Sequence, residues 1–196
     1  MTDIVNALPW PSQTPRLTIR PATVDDGEAT WEFRRMESVT EWITSAASNR
    51  ESFLRQFVEP ERLARTLVIE RDGVVIGDLM LLIQNGWAQT EIAAQARAVE
   101  AELGWCLDPR YAGHGYATEA VAELIRICFQ ELRLHRVTAN CFADNTASWR
   151  LMERVHMRRE IHAIQNSLHR SGKWLDGYGY ALLADEWESL GAPAQA

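Results

Sequence analysis

Residues 108–118 read Asp-Pro-Arg-Tyr-Ala-Gly-His-Gly-Tyr-Ala-Thr, and the chemistry these residues spell is anion binding. Gly113 and Gly115 sit where a strand-like run, 102–107, turns into a strongly amphipathic helical pattern. With no Cβ in the way, a glycine backbone lets a ligand come close. The first turn of a helix carries N–H groups without intrahelical acceptors, and its dipole favours negative charge there. Together these features make a pyrophosphate cradle, although the six residues from Arg110 to Gly115 also suit an ordinary glycine turn. A Walker loop would end Gly-Lys-Ser/Thr, and this loop has no lysine. A Rossmann fingerprint would put a third glycine at Thr118 and an acidic residue after the next strand, and 136–142 ends without one.

A second constellation follows at Asp144-Asn145-Thr-Ala-Ser148. Asn145 and Ser148 are one helical turn apart, so both side chains can address one ligand. The same residues equally suit a helix N-cap and a polar first turn. The elements that must position these groups are legible. Val121, Leu124, Ile125, Cys128, Phe129 and Leu132 fall at helical spacing, with Glu119, Glu123, Arg126, Gln130 and Arg133 on the opposite face. A strand is expected at 136–142 and a helix from Asp144 to about Val155. Upstream, 17–19 alternates as a strand, Asp25-Asp26 caps a helix holding Trp31 and Phe33, and a second helical stretch runs from about Ser38 to Phe57, broken near 45–49. Arg62 to Ala64 ends a short helical turn. Asp72-Gly73 between 66–70 and 74–83 is a hairpin signal, and Asn85-Gly86 ends the second strand. Residues 87–100 read as a loop with some helix, and 158–165 and 177–183 as the last two strands.

The order strand, Arg110-x-x-Gly113-x-Gly115, helix, strand, Asn145-x-x-Ser148, helix resembles the core of the GNAT N-acetyltransferases. The closer likeness is to their RimJ/RimL-like branch, which acetylates protein N-termini. It rests on Arg16-Leu-Thr-Ile-Arg-Pro21, Gly104-Trp-Cys-Leu-Asp-Pro109, Gly115-Tyr-Ala-Thr-Glu-Ala120, Leu134-His-Arg-Val137, Met157-Arg-Arg-Glu160, Tyr178-Gly-Tyr-Ala-Leu-Leu183 and Glu186-Trp187, and covers about residues 15–190. The chain departs from the branch at His156, where the family usually has glycine, and in an alanine-rich insertion at 85–100.

The resemblance implies an α/β (α+β) single-domain fold: a twisted mixed sheet of about seven strands flanked by helices, with splayed strands forming an acetyl-CoA cleft. It implies an extended lead-in over 1–15, the domain over 16–190 and a flexible tail over 191–196. It implies direct acetyl transfer from acetyl-CoA, as co-substrate, to an amine. The diphosphate would lie on the backbone of Tyr111, Ala112, Gly113, His114, Gly115 and Tyr116, with Ala117 and Thr118 beside it and Arg110 as a charged donor. Backbone groups of Trp105, Cys106 and Leu107, at a bulge, would hold the pantetheine and the thioester oxygen, while Trp105 and Leu107 side chains fill the core. Asn140 and Asn145 would bind the cofactor arm, and Ser148 would protonate the leaving thiolate. Trp149 stands where some relatives use tyrosine. Glu102 is the first candidate for the base, with a solvated strand end as its plainer role. The strand near 164–168 offers Ser167 and no carboxylate, and His162 and His169 are further candidates.

Length and composition fit this reading. At 196 residues one domain with a sizeable core is expected. A net charge of −7 argues against nucleic acid as a general partner and mildly favours a cationic substrate. Cys106, Cys128 and Cys141 lie too far apart for a metal spacing and each sits on an apolar element, which suggests core thiols. The first residues carry no signal-peptide pattern, and the longest apolar run, 74–83, is interrupted by Gly77 and Asp78. A cytoplasmic protein without membrane partners, monomer or homodimer, is therefore expected. The first acceptor is a protein N-terminal α-amine. The alternatives are a small amine (polyamine, amino acid or aminoglycoside) or a non-catalytic acyl-CoA-binding module.

Overall fold

A computed structural model describes residue 5 and residues 8–191, so 192–196 of the expected tail and 1–4, 6 and 7 of the lead-in lie outside the described residues. The chain gathers into two compact units, residues 1–81 with 104–123 and residues 82–103 with 124–196.

The first unit holds strands β1 (Ser12–Gln13), β2 (Thr18–Pro21) and β3 (Thr66–Arg71), most of β4 (Val74–Gln84) and the second half of β5 (Glu100–Leu107), in the order β1-β2-β3-β4-β5. The lead-in is thus not wholly irregular: Ser12 pairs with Ile19 and Gln13 with Thr18. The β3–β4 hairpin turns on Asp72 and Gly73 at φ 52° and 76°, the left-handed pair that a two-residue turn needs. Gly77 on β4 answers a different demand, since a Cβ there would sit 2.6 Å from the Cys106 carbonyl oxygen. Helices α1 (Gly27–Arg34), α2 (Glu37–Thr40), α3 (Arg50–Phe57) and α4 (Pro60–Leu63) connect β2 to β3. Asn49 caps α3 by accepting from Ser52 N at 2.8 Å. The apolar faces meet in a cluster of Ala22, Phe53, Phe57 and Val68, with Trp31 packed on Phe53 at 5.3 Å. Burying each of those phenylalanines contributes roughly 2–3 kcal/mol. Arg20 ties β2 to its neighbours, donating to Asp26 at 2.8 Å and to Glu70 at 2.6 Å.

The second unit contains the first half of β5, then β6 (Arg136–Phe142), β8 (Trp174–Leu183) and β7 (Arg158–Leu168) in that spatial order. Pairing of β5 with β6 is parallel and spans Glu100–Arg136, Ala101–Val137 and Glu102–Thr138. β8 pairs antiparallel with both β6 and β7, and β7 carries two register shifts. Helix α6 (Thr146–Arg154) follows β6, and α7 (Ala184–Ser189) closes the described chain. The described residues thus contain eight strands where about seven are expected, the addition being β1.

Helix α5 (Tyr116–Arg126) runs on into a π-helical turn, Ile127–Glu131. Val121, Leu124, Ile125, Cys128 and Phe129 are buried as the spacing predicts. The wider turn also buries Ile127, and Leu132 is left only half-buried. The insertion forms a 3-10 segment, Thr90–Ala96, with Trp87 95% exposed.

His156 adopts φ 65°, in the left-handed region that favours the glycine expected at this position. His156→Gly should therefore stabilise the protein. Relief of left-handed strain is worth about 1–2 kcal/mol and the added unfolded-state entropy offsets part of it. A rise in the urea midpoint at unchanged m is expected, and a fall would contradict the strain account.

Candidate active site

In the first unit, β5 runs into the glycine loop through Asp108, which is 1% exposed. Its N–H donates to Ile76 O at 2.8 Å, anchoring the strand end to β4. Its carboxylate caps the 3-10 turn Pro109–Tyr111 by accepting from Arg110 N at 2.9 Å. Arg110 also turns its guanidinium back onto Asp108, with Nε at 2.9 Å from Oδ2 and the terminal nitrogen at 2.5 Å. Burial pushes the Asp108 carboxyl up, but these hydrogen bonds outweigh it and hold the group below the usual carboxylate range. The phosphate-donor role expected of Arg110 thus competes with an ion pair already made. Arg110→Ala should raise the Kd for CoA by no more than about fivefold, the scale of an exposed ion pair. Calorimetric titration measures this, and complete loss of binding would contradict it.

Beyond the turn, Gly113 and Gly115 take φ 81° and 80°. Among the described residues, the N–H groups of Gly113, His114, Gly115, Tyr116 and Ala117 donate to no protein acceptor; the next backbone bond is Glu119 N to Gly115 O. Five consecutive free donors at a helix N-terminus, with open space where a Gly113 Cβ would stand, fit a diphosphate. His114 is fixed beside them, its Nδ1 2.8 Å from Ala112 O and its ring stacked on Tyr116 at 5.6 Å.

Along β5 the buried side chains are Ala101 and Leu103, then Cys106 and Asp108. The two-residue alternation slips by one between Leu103 and Cys106. One extra residue in the strand, at Gly104 and Trp105, would produce this slip. Trp105 and Leu107 are half-buried, so Cys106 rather than its neighbours fills the core. Burial pushes the Cys106 thiol up to about 12.

In the second unit, Glu102 and Asn140 meet across the β5–β6 pair, with Nδ2 3.4 Å from Oε1, a long and weak hydrogen bond. Asn145 is the N-cap of α6: its Oδ1 accepts from Ser148 N at 3.2 Å. Capping uses the amide oxygen, and Nδ2 makes no hydrogen bond among the described residues. Burial pushes the Cys141 thiol up to about 11, against a lowering effect of the neighbouring Ser148 hydroxyl. Cys141 is therefore not the core thiol expected, being half-buried beside the candidate acid; Cys106 and Cys128 are buried. Trp149 Nε1 donates to Ala143 O at 3.1 Å, which fixes the turn before α6.

Three groups escape the sequence reading. The carboxylate missing near 164–168 comes from the neighbouring strand: Asp176 on β8 lies 2.7 Å from His162 Nε2. A backbone bond from Gln165 and the His162 contact hold the Asp176 carboxyl below its ordinary value. Cys141 and Arg16 are the others. The signal for each lies in strand register or in long-range contacts rather than in local spacing.

Residues 16–158 match the acetyltransferase (GNAT) domain family. The chain is 30% identical over 178 residues to YnaD of Bacillus subtilis, an uncharacterized N-acetyltransferase, across 89% of this chain and 97% of that one. It is 28% identical over 123 residues to AaaT of Escherichia coli, an L-amino acid N-acetyltransferase, across 60% and 70% of the two chains. The crystal structure of a GNAT-family acetyltransferase from Bacillus anthracis superimposes with a TM-score of 0.74 at 30% identity, covering 89% of this chain and 98% of that one. RimJ of Mycobacterium smegmatis, in complex with CoA-disulfide, superimposes at 0.70 with 21% identity over 93% and 96% of the chains, a likeness of fold. Among the described residues no helix is long and apolar enough to cross a membrane. The family match over most of the chain, the two relatives near 30% identity and the glycine loop with its free N–H groups agree: the chain belongs to the GNAT family and is an N-acetyltransferase that uses acetyl-CoA as its co-substrate.

Proposed function

We propose that the enzyme transfers acetyl directly to an α-amine, first of all the N-terminal α-amine of a protein. The observation that carries the donor half is the row of free N–H groups from Gly113 to Ala117, which suits the CoA diphosphate. Tyr111 and Ala112 shape the approach to that row, and Thr118 lies in the first turn behind it. Backbone N–H groups between Trp105 and Leu107 stabilise the oxyanion, and the slip in burial along β5 supports a bulge suited to that task. Asn140 and the free Nδ2 of Asn145 serve the pantetheine arm, and the Ser148 hydroxyl gives a proton to the departing thiolate. Glu102 receives the amine proton, directly or through water; the exposed His162–Asp176 pair is the second candidate for that task.

The acceptor reading rests on proton supply. At pH 7 about a tenth of α-amines (pKa about 8) are neutral, against fewer than about one in a thousand lysine side chains (pKa about 10.4). An α-amine therefore asks little of a base, which matches a site whose first base candidate, Glu102, is only half-buried. A free amino acid carries the same reacting group and is the second reading, supported by the activity named for AaaT. Comparing kcat/KM for N-terminal peptides, free amino acids and peptides with a blocked N-terminus and one free lysine separates them. The reading expects peptides first; a preference for the lysine peptides would overturn it.

Ser148→Ala should lower kcat by about a hundredfold, the usual scale for a general acid, with the KM for acetyl-CoA within about threefold. An unchanged kcat under conditions where chemistry limits turnover would remove Ser148 from the reaction.

A further inference from the structure

Arg16 opens the motif Arg16-Leu-Thr-Ile-Arg-Pro21, and nothing in the donor site as described uses it. Its guanidinium faces the glycine loop. Nε donates to Glu119 Oε2 at 2.7 Å, with NH2 at 2.6 Å from the same oxygen. NH1 donates to the backbone carbonyl of His114 at 3.0 Å. Its Cζ lies 4.7 Å from the centre of the Tyr116 ring, and NH2 lies 3.5 Å from where a Gly115 Cβ would be. The segment is strapped to α5 at further points: Arg16 N and Thr14 Oγ1 donate to Glu119 Oε1 at 3.0 and 2.6 Å, and Ser12 Oγ to Glu123 at 2.5 Å.

Two consequences follow from elementary geometry and charge. The His114 carbonyl and the Gly115 N–H belong to one planar trans peptide, so they point in opposite directions. Pinning that oxygen on Arg16 turns the Gly115 N–H away from Arg16, and this N–H is one of the five free donors. Glycines on both sides of His114 leave the peptide otherwise free to flip. Glu119 also lies in the first turn of α5, where an anion is to bind. A bare carboxylate there would repel a diphosphate, and the Arg16 fork neutralises it. Burial raises the Glu119 carboxyl, but the hydrogen bonds from Thr14 and Arg16 outweigh it and keep the group below its usual value.

We propose that Arg16 is a positioning residue for the acetyl-CoA diphosphate: it locks the 114–115 peptide with its N–H facing the ligand and cancels the charge of Glu119. The proposal rests on the reading of Gly113–Ala117 as the diphosphate site. In Arg16→Ala the Kd for CoA should rise about tenfold, which is about 1.4 kcal/mol. Arg16→Lys keeps a charge but cannot bridge both acceptors, and should recover less than half of the loss on the logarithmic scale.

The test is calorimetric titration of the whole protein and both variants with CoA, followed by competition with inorganic pyrophosphate and with pantetheine, which lacks the diphosphate. The expected result is a pyrophosphate competition constant that rises with the CoA Kd while that of pantetheine stays within twofold. An equal rise for both competitors means a general loss of structure, and an unchanged CoA Kd means no role; either overturns the proposal. Should Arg16→Ala not fold, the lysine variant decides alone, since full recovery of CoA affinity there contradicts the bridging role. If the unaltered protein binds CoA but pyrophosphate does not compete, the diphosphate reading itself fails, independently of Arg16.

Discussion

Gly115→Val is expected to lower kcat/KM for acetyl-CoA by at least about a hundredfold, through KM more than kcat. Gly115 holds φ 80°, a region that β-branched residues occupy only under strain. The substitution costs roughly 1–3 kcal/mol of backbone strain or drives the loop into another conformation. Either way the free N–H groups from Gly113 to Ala117 lose their common direction, and their value to a diphosphate depends on it. The new Cβ would meet only the Arg16 NH2, at an ordinary 3.5 Å, so the loss comes from the backbone and not from a collision in the core. Gly172→Val is the matching control. Gly172 has φ 81° and open space, but belongs to the polar turn between β7 and β8. It should destabilise by a comparable amount and leave the CoA Kd unchanged. Equal losses of CoA affinity in both variants would mean that global stability, not the cradle, governs binding.

The second large effect is on stability. Asp78 is 2% exposed in the middle of β4, and its carboxylate receives a bidentate pair from Arg34 on α1, Nε to Oδ2 at 2.6 Å and NH2 to Oδ1 at 2.5 Å. Asp78→Ala would leave the partly buried guanidinium, 20% exposed, without its partner. Breaking one side of a buried pair costs about 3–5 kcal/mol, a large share of the 5–15 kcal/mol that typically stabilises a domain. Urea denaturation should show the midpoint falling at similar m. Replacing both residues, as Arg34→Met with Asp78→Leu, removes the uncompensated charge and should cost much less than Asp78→Ala. A double variant as unstable as the single would show that the pair matters for its geometry and not for mutual neutralisation.

What the sequence made legible follows the range of the interactions. Asp72-Gly73 announces the β3–β4 turn because few residues tolerate two successive left-handed conformations, and the structure places both there. Gly113 and Gly115 are legible as glycines at a strand-to-helix turn, where a ligand could approach the backbone, and both take φ near 80°. The helical spacing of α5 places its buried face through Phe129 but does not reveal the π turn at Ile127–Glu131, which also buries Ile127, since a spacing of 3.6 residues does not show where a turn widens. Of the two roles weighed for Asn145 the structure shows the cap: its oxygen accepts from Ser148 N, and its nitrogen makes no hydrogen bond among the described residues. The contacts that escape are long in sequence. Arg16 reaches His114 across 98 residues, and His162, whose cross-strand partner is Tyr178, meets Asp176 two residues further along β8. Cys141 is half-buried beside Ser148, a pairing between β6 and α6 that composition alone reads as another core thiol.

The central claim is acetyl transfer from acetyl-CoA to an α-amine, and its most direct measurement is thiol release from acetyl-CoA across a panel of acceptors. The panel holds N-terminal peptides, free amino acids, polyamines and aminoglycosides, each with and without Ser148→Ala. The account predicts acceptor-dependent thiol release that is fastest with α-amines and strongly reduced by the substitution. CoA binding with flat thiol release across the whole panel, or turnover confined to polyamines or aminoglycosides, would contradict it.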